Sequence, residues 1–293
     1  MTDRLLLTAD LNNIEDCIAL AVKHNLGLEI MAFAYPHILD GNWEHEVATY
    51  RSILRAVPGP ITLHGPFMDM VSGSPDDQIN QVCFLRYQHA IYIASQLESK
   101  LVVLHANFIG SLRNPPYRKG WHDRNVQFWE PLAEFAHAHD VTIALENMWE
   151  FEPQIIAEVL RDVNHPNLRA CIDVGHAHLY GDDEYSFQDW LDTMEPWLVH
   201  MHMNNNNGKL DEHHSFDWPD GVLDYKKLLT QVHALKTQPN IVLEMWSTDD
   251  MRQSLHYFDL DKARATAEVA AITEAAAAEA PAPNEASKET ISE

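Results

Sequence analysis

Short apolar runs that are typical of buried strands alternate with amphipathic stretches along most of this chain. Runs of this kind occur eight times, in RLLLTAD, LGLEIMAF, ITLHGPF, KLVVLHANF, VTIALEN, LRACIDVGH, LVHMHMN and NIVLEMW. Helical periodicity predicts helices between them, over 14–24, 43–56, 77–98, 125–139, 153–163, 186–196 and 224–235. Such regular alternation predicts an α/β fold, a single (β/α)8 TIM barrel whose active site lies at the C-terminal ends of the strands.

The composition changes near the end of the chain. We therefore predict that residues 1–262 form the barrel and that residues 263–293 form a separate tail. The Ala-rich first part of the tail, ARATAEVAAITEAAAAEA, favours helix, whereas APAPNEASKETISE has almost nothing to bury and is predicted to be disordered. A contact between subunits through the Ala-rich segment is the alternative interpretation.

Acidic side chains far outnumber basic ones. The sequence has 20 Lys plus Arg against 44 Asp plus Glu, a net charge of −24, which repels phosphate polymers and anionic membranes at long range. Extended duplex DNA is therefore disfavoured as a partner. The apolar stretch in the opening MTDRLLLTAD is too short for a signal peptide, and no apolar run approaches transmembrane length. The three cysteines form no CxxC pair, which is typical of a protein from a reducing compartment. We predict a cytoplasmic protein with no membrane partner.

Side chains of the type that bind metals stand at the ends of the predicted strands. Glu146, Asp173, His202 and Glu244 end four consecutive apolar runs. Burying a carboxylate or imidazole there is costly unless it is paired or bound to a cation, so the pattern predicts a metal centre. Some of the candidates can instead orient the true ligands by hydrogen bonding, and His178 and His214 are neighbouring alternatives. Further candidates near strand ends are His64, His105, His176, Asp211 and His213.

The strand ends HGPF, HANF, ENMW, DVGH, HMNN, DEHHSF and LEMW resemble those of the xylose isomerase-like barrel superfamily. That group includes sugar isomerases and epimerases and the endonuclease IV-type enzymes of AP endonuclease family 2. Resemblance to the sugar enzymes implies that Glu146, Asp173, His202 and Glu244 hold one Mn, Co or Mg ion. Resemblance to the endonuclease IV type implies that all nine candidates hold up to three zinc ions. One departure is the run Asn204 to Asn207, where a carboxylate often follows the first Asn.

Two chemistries follow from these ligand sets. With one metal, Glu146 and Glu244 would act as the acid and base of a sugar (phosphate) isomerase or epimerase, whereas a multi-metal site serves phosphoester hydrolysis. The presence of all nine residues slightly favours a hydrolase that acts on a small, sugar-containing or phosphorylated substrate. A barrel that binds a metal or ligand without turnover is a third interpretation, but it would be expected to lack one of the two glutamates. A homodimer is common in this group and is expected on that ground alone.

Basic residues cluster after the fourth predicted strand. Arg113, Arg118, Lys119 and Arg124 lie in SLRNPPYRKGWHDR, which we interpret as a loop on the catalytic side. Arginine recognises phosphate through charge-assisted hydrogen bonds, so the segment is a candidate for substrate binding. A solvated segment paired with surface acids is the alternative. Further candidate substrate-binding residues are Trp149, near the predicted mouth, and Lys209, before Asp211.

Overall fold

The computed structural model describes residues 4–260. Eight parallel strands, which follow one another in chain order, close into a barrel. All eight predicted runs form strands, and the predicted (β/α)8 fold is confirmed. The strands are β1 (Leu5–Ala9), β2 (Gly27–Ile30), β3 (Ile61–His64), β4 (Leu101–His105), β5 (Thr142–Glu146), β6 (Leu168–Asp173), β7 (Leu198–Met203) and β8 (Asn240–Leu243).

Helices connect the strands and cover the outside of the barrel. Between residues 4 and 260 they are α1 (Ile14–His24), α2 (Pro36–Leu39), α3 (Trp43–Ile53), α4 (Asp77–Gln96), α5 (Pro115–Ala138), α6 (Gln154–Val163), α7 (Val174–Tyr180), α8 (Phe187–Met194), α9 (Tyr225–His233) and α10 (Thr248–Ser254). In none of them is an apolar stretch long enough to cross a membrane. The short helices α2, α7 and α10 were not predicted from the sequence.

One predicted element has a different extent in the structure. The helix predicted over 125–139 begins at Pro115, ten residues earlier, and ends at Ala138. Asn114 explains this start, because its side chain accepts a 2.9 Å hydrogen bond from the backbone N–H of Tyr117 and two prolines occupy the first helical positions. The basic segment is therefore mostly the first turns of α5, and interpreting all of it as a loop was wrong.

The register of the strands brings polar residues side by side at one end of the barrel. His105 pairs with Glu146 across β4 and β5, and Asp173 pairs with His202 across β6 and β7. Below this end, the interior contains the buried carboxylate of Glu29, where barrels of this fold usually contain branched apolar residues. The fold thus gathers ionisable groups from strands that are far apart in sequence.

The barrel unit ends at Ser254, and a second unit begins at Leu255. Within the second unit the structure describes a 3-10 helix, Leu255–Phe258. The tail predicted for residues 263–293 lies outside the described residues, so its helical and disordered parts stay predictions.

Candidate metal centre

A cavity of about 330 Å³ opens at the carboxyl ends of the strands. Ligand-type side chains form part of its lining, and Phe67, Met148 and Trp246 contribute apolar surface. The volume is near the lower end of the range for pockets that bind small molecules. Among the described residues, neither Lys nor Arg lines the cavity. The site therefore suits a small substrate in which the groups that contact the cavity wall carry little negative charge.

Glu146, at the end of β5, is central to the cluster of ionisable groups. It is 1% exposed, and both of its carboxylate oxygens face imidazole nitrogens. Oε1 lies 2.9 Å from Nδ1 of His202, while Oε2 lies 2.8 Å from Nε2 of His105 and 3.4 Å from Nε2 of His64. One carboxylate thus joins histidines from three different strands.

A second group of ligand-type residues lies beside the first. His176 is on α7, whereas Asp211 and His213 belong to the long segment between β7 and α9. Nε2 of His176 lies 3.3 Å from Oδ2 of Asp211, and Nε2 of His213 lies 3.3 Å from Oδ1 of the same carboxylate. These three residues are close enough for their ligand atoms to surround one ion.

Asp173 and Glu244 lie between the two groups. Oε2 of Glu244 is 3.2 Å from Nδ1 of His202 and 3.5 Å from Nδ1 of His213. Oδ1 of Asp173 is 3.6 Å from Nδ1 of His176 and accepts a 2.6 Å hydrogen bond from the backbone N–H of that residue. The structure therefore brings all nine predicted residues together at one site. Their action as metal ligands stays a prediction, and neither of the neighbouring alternatives, His178 and His214, is among the described residues that line the cavity.

The asparagine run after β7 holds one of the carboxylates. Nδ2 of Asn204 donates a 3.0 Å hydrogen bond to Oδ2 of Asp173. A side chain at Gly175 would place its Cβ 2.3 Å from Oδ1 of Asn204, so any other residue there would displace the Asn204 side chain. The DVGH motif therefore combines a carboxylate, a glycine that makes room for Asn204, and the imidazole of His176.

The electrostatic environment of the site requires positive charge. Burial by itself raises the pKa of Glu146, but His202 and His105 outweigh burial and hold that pKa well below its usual range. For Glu244, His202 and His213 likewise outweigh burial and lower the pKa to about 2. Burial raises the pKa of Asp173 to about 6. Without a metal, protonated histidines must neutralise the negative charge of these carboxylates. Divalent cations would neutralise the same charge.

The histidine rings face the cluster in an orientation that suits metal binding. Nδ1 of His64 is 2.9 Å from the carbonyl oxygen of Gly65, and Nδ1 of His176 and His213 is 3.0 Å from the carbonyl oxygens of Asn147 and Glu244. A carbonyl only accepts, so in each neutral ring Nδ1 is the donor and Nε2 presents its lone pair to the cluster. Metal-binding histidines are commonly held by this arrangement.

Several buried polar atoms at the site have no hydrogen-bond partner among residues 4–260. Nε2 of His105 and Oε2 of Glu146 are 2.8 Å apart, yet neither is in a hydrogen bond, and Oε2 of Glu244 and Oδ1 of Asp211 also lack one. Unpaired buried groups of this kind are rare and costly. Imidazole and carboxylate together form the donor set of zinc and manganese sites, so the residues present fit divalent ions.

The metal-free protein is expected to become less stable as the pH rises from about 6.5 to about 9. Burial lowers the pKa of His213, but Glu244, Asp211 and Asp173 together outweigh burial and raise this pKa from 6.5 to about 9. A histidine with a raised pKa in the folded state contributes stability below its unfolded pKa and loses it as the pH rises through the folded value. The pKa values of His64, His176 and His202 are raised in the same direction.

The size of this loss is expected to be on the order of 1 to 3 kcal/mol, or several degrees in Tm. Scanning calorimetry at a series of pH values, in the presence of a chelator, would measure it. Bound metal keeps these histidines unprotonated, so the loaded protein should show a smaller decrease. A Tm that increases across this window in the metal-free protein would contradict the prediction.

The structure places the predicted substrate-binding residues away from the cavity lining. Arg113 forms an ion pair with Asp182 at 2.5 Å, and Arg118 forms ion pairs with Glu152 and Glu158. Salt bridges to nearby acids, the alternative interpretation, thus account for these arginines. Two more of the basic candidates also have partners outside the cavity lining: Lys119 forms an ion pair with Asp123, and Arg124 donates a hydrogen bond to the carbonyl of Gly73. Trp149 and Lys209 are exposed. These contacts give no support to their proposed role in binding substrate.

Sequence reasoning missed two kinds of residue at the site. Thr8, Asp10 and Asn13 line the cavity from the β1 side, although no ligand pattern marks them. Glu29 lies beneath the cluster, 2.8 Å from His202. A charged residue in the middle of the apolar run LGLEIMAF was a signal that could have identified Glu29.

The fold and this site together define a (β/α)8 barrel with clustered carboxylates and histidines at the carboxyl ends of its strands. The chain matches the family model described as xylose isomerase-like TIM barrel over residues 13–272, and it belongs to that family. The resemblance seen in the strand-end motifs is therefore confirmed.

Individual relatives are consistent with this assignment. An uncharacterized protein of Methanocaldococcus jannaschii is 30% identical over 159 residues, which are 52% of this chain and 54% of the relative. The chain thus spans about half of the length of that curated relative. A solved D-tagatose 3-epimerase-like protein has a TM-score of 0.73 at 22% identity, over 87% of this chain and 96% of the other. A Thermus thermophilus protein that was soaked with ZnCl2 has a TM-score of 0.71 at 23% identity, with the same coverage. At these identities the two structures show the shared fold alone.

Proposed function

We propose that this barrel is a metal-dependent enzyme that hydrolyses a phosphoester bond in a small, sugar-containing substrate. The observation that carries the proposal is the group formed by His176, Asp211 and His213, next to a Glu146 whose two oxygens both face histidines. The four-residue metal site that the resemblance to the sugar enzymes implies does not include this group. Divalent ions held by the nine residues would supply Lewis acidity and neutralise the charge of phosphate oxygens.

The environment of Glu146 is unfavourable for the alternative role of this residue as a proton-abstracting base. An efficient general base has a pKa near the working pH and a free oxygen within reach of the substrate proton. His202 and His105 hold the pKa of Glu146 well below its usual range, and its two oxygens already have imidazole neighbours at 2.9 and 2.8 Å. Its geometry therefore supports a role as a metal ligand better than a role as a base.

The β1 side of the cavity is suited to the neutral part of such a substrate. Thr8, Asp10 and Asn13 line the cavity, and Oγ1 of Thr8 is buried without a hydrogen-bond partner in the described structure. These groups can bind sugar hydroxyls, and the exposed ring of Trp246 adds apolar surface to the cavity lining. The absence of Lys and Arg from the described lining, together with the net charge of −24, disfavours an extended nucleic acid.

A second candidate function is metal-dependent isomerisation or epimerisation of a sugar, with Glu146 and Glu244 as the acid and base. The observation that favours it is the same lack of cations in the described lining, because a neutral ketose or aldose needs none. The two candidates differ in the number of ions they require and in whether the His176 group takes part.

Elemental analysis of the purified protein, followed by two assays, would test the proposal. About two to three equivalents of zinc or a similar ion per chain, with release of phosphate or alcohol from aryl phosphates and sugar phosphates, is the expected result. About one equivalent of metal per chain, together with exchange of a carbon-bound hydrogen of the substrate for deuterium and no hydrolysis, would contradict the hydrolase proposal. The second candidate function would then replace it.

A further inference from the structure

Glu29 is a buried carboxylate that takes no part in the proposed ligand set. It lies on β2, is 0% exposed, and is not among the residues that line the cavity. Burial of a carboxylate in such a place is strongly unfavourable unless other groups compensate its charge. An apolar residue would fill the same space at less cost, so the contacts of Glu29 are informative about its role.

One oxygen of Glu29 is already fully engaged. Oε2 accepts hydrogen bonds from Oγ1 of Thr62 at 2.9 Å and from Nε2 of His200 at 2.8 Å. The amide nitrogen of Asn240 lies 3.3 Å from Nδ1 of His200, which leaves the proton of the neutral ring on Nε2, facing Glu29. A cation bound by Glu29, His200 and His202 would have to compete with these two hydrogen bonds.

The other oxygen of Glu29 faces His202. Oε1 lies 2.8 Å from Nε2 of that ring, at an angle outside the range of a good hydrogen bond. On the opposite side of the ring, Nδ1 lies 2.9 Å from Oε1 of Glu146 and 3.2 Å from Oε2 of Glu244. His202 is therefore held between the buried carboxylate below and the cluster above.

His202 differs from the neighbouring histidines in how its ring is held. His64, His176 and His213 each turn Nδ1 toward a backbone carbonyl and Nε2 toward the cluster. His202 presents the opposite nitrogen, Nδ1, and its Nε2 faces Glu29 instead of a carbonyl. Glu29 thus occupies the place that a carbonyl acceptor takes for the other three rings.

We propose that Glu29 is a positioning residue that keeps the proton of His202 on Nε2 and so directs the Nδ1 lone pair toward the ion held with Glu146 and Glu244. This inference rests on the metal centre of the proposed function. The carboxylate can do this because Oε1, which has no hydrogen-bond partner elsewhere in the described structure, lies 2.8 Å from Nε2 of His202. Groups that orient metal-binding histidines in this way strengthen metal affinity.

The replacement of Glu29 by glutamine tests this role. The amide oxygen would remain with Thr62 and His200, which leaves an NH2 group facing Nε2 of His202. That donor favours the tautomer with the proton on Nδ1, which cannot bind a metal through Nδ1. In E29Q, competitive titration with a zinc chelator is expected to show about 10- to 100-fold weaker zinc binding, with Tm of the metal-free protein near that of the wild type. Thr62→Val, which removes a hydrogen bond to Glu29 but keeps the carboxylate, is the matched control and should bind zinc like the wild type.

Equal zinc affinity of E29Q and the wild type would overturn this inference alone. Absence of zinc binding in the wild type would overturn the proposed function together with it. If E29Q does not fold, nitrogen NMR of histidine-labelled, zinc-loaded wild type decides the question. A proton on Nε2 of His202 with zinc on Nδ1 is the expected result, and zinc on Nε2 would overturn the inference.

Discussion

Replacing Glu146 with glutamine is expected to remove most of the bound metal and to lower kcat/KM for phosphoester hydrolysis roughly 100-fold or more. Oε2 of Glu146 lies within 3.4 Å of imidazole nitrogens from β3 and β4, and Oε1 lies 2.9 Å from His202 on β7. A glutamine has one acceptor oxygen and turns an NH2 donor toward the other imidazoles, so it cannot bridge the same groups. Elemental analysis and steady-state kinetics of the variant would measure both losses.

Glu150→Gln is a suitable control for that experiment. Glu150 is also 0% exposed, but its oxygens accept hydrogen bonds from the backbone N–H groups of Phe108 and Met148, at 2.8 and 2.6 Å. Its replacement tests the cost of an amide at a buried glutamate position and should leave the metal content unchanged. If E146Q retained the metal content and activity of the wild type, Glu146 would have no place in the centre. Equal losses in both variants would indicate damage to the fold rather than a lost ligand.

Replacing His213 with alanine is expected to remove about one equivalent of metal per chain and to lower the hydrolytic rate roughly 100-fold, while the barrel stays folded. His213 lies in the segment between β7 and α9, and its side chain is 15% exposed, so its loss leaves the strands intact. Its Nε2 faces Asp211 at 3.3 Å and completes the group that separates a multi-metal site from a single-metal one. Metal content, Tm and rate should be measured on the same sample.

His214→Ala is the matched control, since it removes the neighbouring ring. His214 stacks on Trp218 with ring centroids 3.9 Å apart and is not among the described residues that line the cavity. This variant should therefore retain its metal. Full metal content and full activity in H213A would remove the multi-metal hypothesis.

The barrel could be predicted from the sequence because its signals are local and repeated. Each strand is a short apolar run, as in KLVVLHANF, and each is followed by a helical pattern. The start of α5 was missed because apolar periodicity is weak over its first turns, which are basic and solvated. There the N-cap of Asn114 and the two following prolines decide the boundary.

The candidate site was predictable to the extent that a strand end can be located. Residues that end strands, such as His105 and Glu146, must meet once the barrel closes. The partners of a side chain cannot be read in the same way. Whether Arg113 reaches the cavity or Asp182 depends on how two segments 69 residues apart lie together, and the contact between Glu29 and His202 crosses the barrel interior.

The position of the proposed metal ligands in the fold also bears on how such a protein can evolve. Glu146, Asp173 and His202 belong to strands whose loss would disturb the barrel, whereas His176, Asp211 and His213 lie in α7 and in the connection after β7. Connections of this fold tolerate replacement far better than its strands do. If these residues act as we propose, a lineage can acquire or discard the three proposed ligands His176, Asp211 and His213 by changing peripheral segments, and can move between reaction types while the strand positions stay constant.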